Sequence, residues 1–128
     1  MIWEDAVKSA FIDKIDSYRL LIQLKQNGYK TGFLSNIEMP AVELFFEKGY
    51  DQFFDAMIFS CIEKTAKPEE EIYRIALEKL QISPAEAIFI DDRPDNILGA
   101  QKIGMNGILF KNINQLHEEL KLLNVTII

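Results

Sequence analysis

The sequence predicts an α/β protein in three layers, a parallel sheet covered by helices on both faces. Three observations carry that prediction. Short apolar runs of strand length alternate with longer stretches of helical spacing, the pattern of βαβ units. The runs are apolar almost throughout, as in Ile88-Phe-Ile and Ala56-Met-Ile-Phe, which suits strands buried on both faces. Helix stop and start residues stand at the joints: Gly28, Gly49, and Pro68 followed by Glu69, Glu70 and Glu71. Glycine takes the left-handed cap without strain, and proline and acids favour a first turn.

In chain order, residues 1–12 show helical spacing through Ile2, Trp3, Ala6, Val7, Ala10 and Phe11. A helix is predicted over 13–27, with Ile15, Tyr18, Leu21, Ile22 and Leu24 on its apolar side. A strand over 29–34 ends in Ser35-Asn36, and a helix over 41–48 follows Pro40. Next come a strand over 56–60, a loop over 64–67 and a helix from Pro68 to Leu80. Ser83-Pro84-Ala-Glu86 reads as a turn or a single helical turn. Then follow a strand over 88–91, a helix over 94–103, a strand over 106–110 and a helix over 113–123. Val125-Thr-Ile-Ile128 reads as a final edge strand.

With 128 residues, the chain has the length of one domain. Its net charge of -6 repels phosphate backbones, so nucleic acid is a poor partner. The single cysteine, Cys61, permits no internal disulfide, and a reducing cytoplasm is the default expectation. The single histidine, His117, leaves too few ligands for a Cys/His zinc site. No apolar run approaches the ~20 residues that span a bilayer, and the start lacks signal-peptide character. Cys61 reads as a structural thiol and His117 as a surface residue.

Chemistry concentrates at strand ends. Parallel strands share one carboxyl edge, where open α/β sheets bind ligands. Ser35-Asn36, Lys67 and Asp91-Asp92 would therefore converge there. Adjacent carboxylates at the exit of an apolar strand are costly unless a cation lies between them. Mg²⁺ is the natural occupant of such an oxygen shell, although an isolated pair would equally suit a helix cap at Asp92. Ser35 and nearby N–H groups can donate to phosphate oxygens, and Lys67 can neutralise phosphoryl charge.

These residues carry a resemblance. Gly32-Phe-Leu-Ser35-Asn36, Lys67-Pro68-Glu-Glu-Glu-Ile72-Tyr73 and Ile88-Phe-Ile-Asp91-Asp92, with Asn96, Gly99-Ala100 and Gly104-Met105, closely resemble the haloacid dehalogenase (HAD) superfamily of hydrolases. The chain looks like the small phosphatases that carry a helical cap after the first strand. The resemblance implies a Rossmann-like core and a small phosphorylated substrate. It implies phosphate binding by Ser35, Asn36 and Lys67, with Lys67 the catalytic lysine, and Mg²⁺ binding by Asp91 and Asp92. The order hydroxyl, lysine, acids also sets the chain apart from receiver domains, where the acids come first.

One departure stands out. The family's nucleophile is the first residue of an Asp-x-Asp at the end of the first strand, and no Asp-x-Asp precedes Ser35. The early acids Glu4, Asp5, Asp13 and Asp16 all sit in helical pattern. The expectation is therefore a partial HAD-like core over 13–128 without its first central strand and most of the cap, and a remnant of the helical cap or a linker helix over 1–12. Two exposed central strand edges would then close on each other, be filled by Val125–Ile128 or a second copy, or await an N-terminal fragment of the same protein. Two functions follow: the phosphate and magnesium half of a phosphatase site, inactive alone, or a catalytically dead module used for binding or oligomerisation.

Overall fold

In the computed structural model, residues 2–4 and 15–127 are described. The strands are β1 (Ile2–Glu4), β2 (Gly32–Ser35), β3 (Ala56–Phe59), β4 (Ile88–Asp91) and β5 (Asn106–Leu109). The helices are α1 (Ile15–Gln26), α2 (Met39–Glu47), α3 (Ser60–Glu63), α4 (Glu70–Leu80), α5 (Pro94–Lys102) and α6 (Ile113–Leu122), with 3-10 turns at Tyr50–Phe53 and Pro84–Glu86. All five strands are parallel, in the order β3-β2-β1-β4-β5.

The helices divide between the faces by strand parity. On one side Phe33, Phe59, Ile88, Ile90 and Ile108 pack with residues of α1, α2 and α6, among them Leu20, Leu24, Phe45, Leu116 and Leu120. On the other, Leu34, Ile58 and Phe89 pack with Ile72, Tyr73, Ala76 and Leu80 of α4 and Ile97 and Ala100 of α5. Successive strand residues point to opposite faces, so each apolar strand feeds both cores. Gly28 ends α1 at φ +85°, which only glycine adopts freely, and the Tyr29 N–H closes the turn on Leu24 O.

The central strand is the main correction. The sheet does contain its first central strand. Ile2–Glu4 fills the place between β2 and β4, with Ile2 opposite Gly32 and Phe89, Trp3 opposite Phe33 and Ile90, and Glu4 opposite Leu34. These residues are strand rather than cap remnant, and Glu4 stands at a strand tip rather than in a helix. Three residues are too few to display a period of their own. The ladder groups of two apolar neighbours decide their conformation, because unpaired backbone groups inside a sheet are costly. The orphaned edges that motivated a second copy or a complementing fragment are thus occupied. The helical reading of residues 5–12 lies outside the described residues.

The predicted edge strand at the C-terminus is also corrected. Residues 125–127 pair with no strand. The Val125 N–H donates to Leu120 O and so closes α6, and the Thr126 N–H donates to the Tyr29 hydroxyl. Residue 128 lies outside the described residues.

Candidate functional site

Ser35 closes β2, Asp91 closes β4, and Lys67 lies in the loop between α3 and α4. That loop folds back on itself. Glu69 accepts from the Ala66 N–H at 2.8 Å, and its own N–H donates to Ala66 O at 2.8 Å. The turn delays α4 to Glu70, two residues after Pro68, and aims Lys67 at the sheet edge.

The Lys67 ammonium reaches Asp91 Oδ2 at 3.3 Å, and both side chains are fully buried. It also donates to Leu34 O at 3.2 Å and lies 5.8 Å from the centre of the Phe89 ring. Asp91 is further held by the Asn96 amide on Oδ2 at 3.0 Å and by the Arg93 N–H on Oδ1 at 2.8 Å. Burial pushes the Asp91 carboxyl above its usual range, although Lys67, the Arg93 N–H and Asn96 all act against that shift. Tyr73 braces the arrangement from below, donating its hydroxyl to Asn96 O at 2.8 Å. Burial, helped by the Asp91 charge, raises the Tyr73 phenol and keeps it protonated.

Ser35 is fully buried, and among the described residues its hydroxyl has no hydrogen-bond partner. Such an orphan costs about 1–3 kcal/mol, and native interiors leave few of them. The sequence therefore placed Ser35, Lys67 and Asp91 correctly on one edge. Asn36 is placed differently. Its side-chain amide accepts from the Lys67 N–H at 3.0 Å and donates to Lys67 O at 3.1 Å. Both its oxygen and its nitrogen thus engage the Lys67 peptide groups.

Asp92 is exposed, and α5 takes Arg93 as its N-cap with no side-chain cap hydrogen bond. The capping alternative for Asp92 is thereby removed. The donor chemistry fits Mg²⁺, which takes one or two carboxylates and completes its shell with water and phosphate oxygens. Among the described residues, Asp91 Oδ1 accepts from the Arg93 N–H alone. Among the described residues no group of three or more acids, histidines or cysteines gathers.

Sequence reasoning missed Asn96, Tyr73 and the Leu34 carbonyl as parts of this network. Asn96 and Tyr73 stood within the recognised motifs, but their contacts cross from one element to another. A cleft of about 360 Å³ lies between α4 and α5, lined by Pro68, Glu70, Asp95, Leu98, Gly99, Lys102 and Ile103. Neither Ser35 nor Lys67 lines it, although Pro68 follows Lys67 directly. Cys61 is half-buried against the core, and His117 is half-buried beside Arg19 and Gln23 rather than fully on the surface.

A parallel sheet with a hydroxyl and an acid at two strand ends, and a loop lysine reaching the same edge, is the arrangement of the HAD-like hydrolase class. The model of the haloacid dehalogenase-like hydrolases matches residues 3–104, and the chain belongs to that family. A sesquiterpene phosphatase of Aspergillus oryzae is 36% identical over 90 residues, covering 70% of this chain and 46% of that protein. The chain thus aligns with less than half the length of that curated relative. A protein of Corynebacterium glutamicum superposes with a TM-score of 0.81 over 98% of this chain and 94% of its own, a likeness of fold at 23% identity. A HAD-family enzyme of Bacteroides thetaiotaomicron, solved with magnesium and inorganic phosphate, superposes with a TM-score of 0.66 at 27% identity, over 78% of this chain and 56% of that one.

Proposed function

We propose that the strand-edge site binds the phosphate group of a small phosphorylated molecule together with Mg²⁺, as part of a phosphomonoester phosphatase site. The observation that carries this reading is the buried Ser35 hydroxyl, without a partner among the described residues, following directly on Leu34, whose carbonyl accepts from the buried Lys67 ammonium. A phosphate oxygen would satisfy the hydroxyl, and the Lys67 ammonium would offset the phosphate charge. Asp91 and Asp92 would hold the metal, which supplies further charge neutralisation at a phosphate oxygen. Within the protein, Asp91 and Leu34 O orient Lys67, while Asn96 and the Arg93 N–H orient Asp91.

No Asp-x-Asp precedes Ser35, so the expected behaviour is binding without turnover. Titration with inorganic phosphate and Mg²⁺, followed by backbone NMR, tests the binding. Shifts are expected at Ser35, Lys67 and residues 91–93, weakened in Ser35→Ala. Their absence overturns the reading. Hydrolysis of an aryl phosphate with Mg²⁺ is expected to stay at background.

A second reading rests on β1. Its last residue, Glu4, stands opposite Leu34, one residue short of the level of Ser35. In this reading Glu4 supplies the carboxylate nucleophile that the missing motif would have provided. Turnover abolished by both Glu4→Gln and Asp91→Asn would establish it. Turnover that survives Asp91→Asn would overturn both readings.

A further inference from the structure

We propose that Asn36 is a positioning residue that fixes the Lys67 ammonium relative to the Ser35 hydroxyl, rather than a phosphate ligand. Its effect on phosphate affinity rests on the phosphate-site reading above; its effect on Lys67 does not.

The geometry is a closed ring of two hydrogen bonds. Lys67 N–H donates to Asn36 Oδ1 at 3.0 Å, and Asn36 Nδ2 donates to Lys67 O at 3.1 Å, across 31 residues of sequence. A side-chain amide here stands where a neighbouring strand would otherwise pair, because Lys67 lies in a loop. Asn36 directly follows Ser35, and Leu34, two residues back, accepts from the Lys67 ammonium at 3.2 Å. Three consecutive residues at the end of β2 therefore set the hydroxyl, the ammonium and the lysine backbone in one frame. A lysine has a long, flexible stem. Fixing its main chain as well as its tip removes most of that freedom before a ligand arrives, and preorganisation of this kind raises affinity.

Asparagine is the residue that can do this. It offers one acceptor and one donor in the fixed geometry of an amide. Aspartate has the same shape but would set a carboxylate oxygen against Lys67 O, and alanine offers neither group.

The test uses the full chain with ¹⁵N-labelled lysine, the Lys67 Nζ resonance being assigned by its loss in Lys67→Met. The probe ligand is inorganic phosphate with Mg²⁺. In Asn36→Ala and Asn36→Asp the Lys67 Nζ signal is expected to shift or broaden while the melting temperature changes little. Phosphate affinity should fall about tenfold, the equivalent of losing roughly one net hydrogen bond. If the Lys67 signal moves but even the unmutated protein binds no phosphate, the positioning role stands and the phosphate reading fails. If the Lys67 signal is unmoved in both variants, the proposal is overturned. An accompanying loss of affinity would then assign Asn36 to the phosphate itself.

Discussion

Ser35 and Lys67 show what a single residue contributes here. The Ser35 hydroxyl is buried without a partner, so Ser35→Ala removes a desolvated group and no hydrogen bond. Stability is expected to hold or rise by up to about 1 kcal/mol, measured by denaturant unfolding, while phosphate binding weakens. Lys67→Met acts in the opposite sense. It strands the buried Asp91 carboxylate, and breaking a buried pair from one side costs about 3–5 kcal/mol. The pH dependence follows from the raised Asp91 carboxyl. A carboxyl raised in the folded state contributes stability below its unfolded value, and that contribution is lost as pH rises through the folded one. Without Lys67 the rise is larger, so the variant should lose most stability at neutral pH and recover part of it as Asp91 takes up a proton in acid. Melting temperatures measured across that range check the sign.

At the scale of elements, α4 and α5 meet where glycine leaves room. A Cβ at Gly99 would lie 2.9 Å from the Tyr73 hydroxyl and 3.0 Å from Pro68 O. Gly99→Ala should therefore push α5 from α4 and cost about 1–3 kcal/mol, as overpacking does. The strain would pass to Tyr73 and thence to Asn96, which Tyr73 braces. A second junction ties β3 to the entry of β2. Asp55 accepts from the Thr31 N–H at 2.7 Å and from Lys25 at 3.2 Å. Burial alone would raise the Asp55 carboxyl, but the Thr31 and Lys25 contacts prevail and lower it. A lowered carboxyl contributes stability above its ordinary value that is lost as pH falls through the folded one. Asp55→Asn should thus destabilise the protein at neutral pH, and the difference from the parent should shrink as pH falls through the lowered Asp55 carboxyl, below the ordinary carboxylate range.

For the molecule as a whole, β1 decides whether the sheet is one piece. Trp3 sits between Phe33 and Ile90 in the ladder. A proline there removes a backbone donor from a central strand. Trp3→Pro is expected to raise amide exchange in β2 and β4 together and to produce association visible by light scattering, as exposed apolar edges pair with other copies. Unchanged exchange at Leu34 and Phe89 would show that the sheet closes without β1.

The layer architecture, the strand and helix order and the edge shared by Ser35, Lys67 and Asp91 were legible in the chain itself. Local patterns write them: apolar runs, glycine stops, and polar residues at strand exits that a parallel sheet must bring together. Other features depend on partners far away in sequence. Ile2–Glu4 is strand because β2 and β4 leave it a ladder to complete, although the spacing over 1–12 reads as helix. Residues 125–127 lie outside the sheet, the Val125 N–H being taken by α6 and the Thr126 N–H by Tyr29. Asn36 turns to Lys67, and Asn96 is braced by Tyr73, through contacts that exist only once the elements pack. The sequence by itself determined which groups stand at the sheet edge. Tertiary structure alone decided which of them are spent on one another and which, as with the Ser35 hydroxyl, remain without a partner, because hydrogen-bond pairing in a buried site is settled by three-dimensional proximity and desolvation rather than by local pattern.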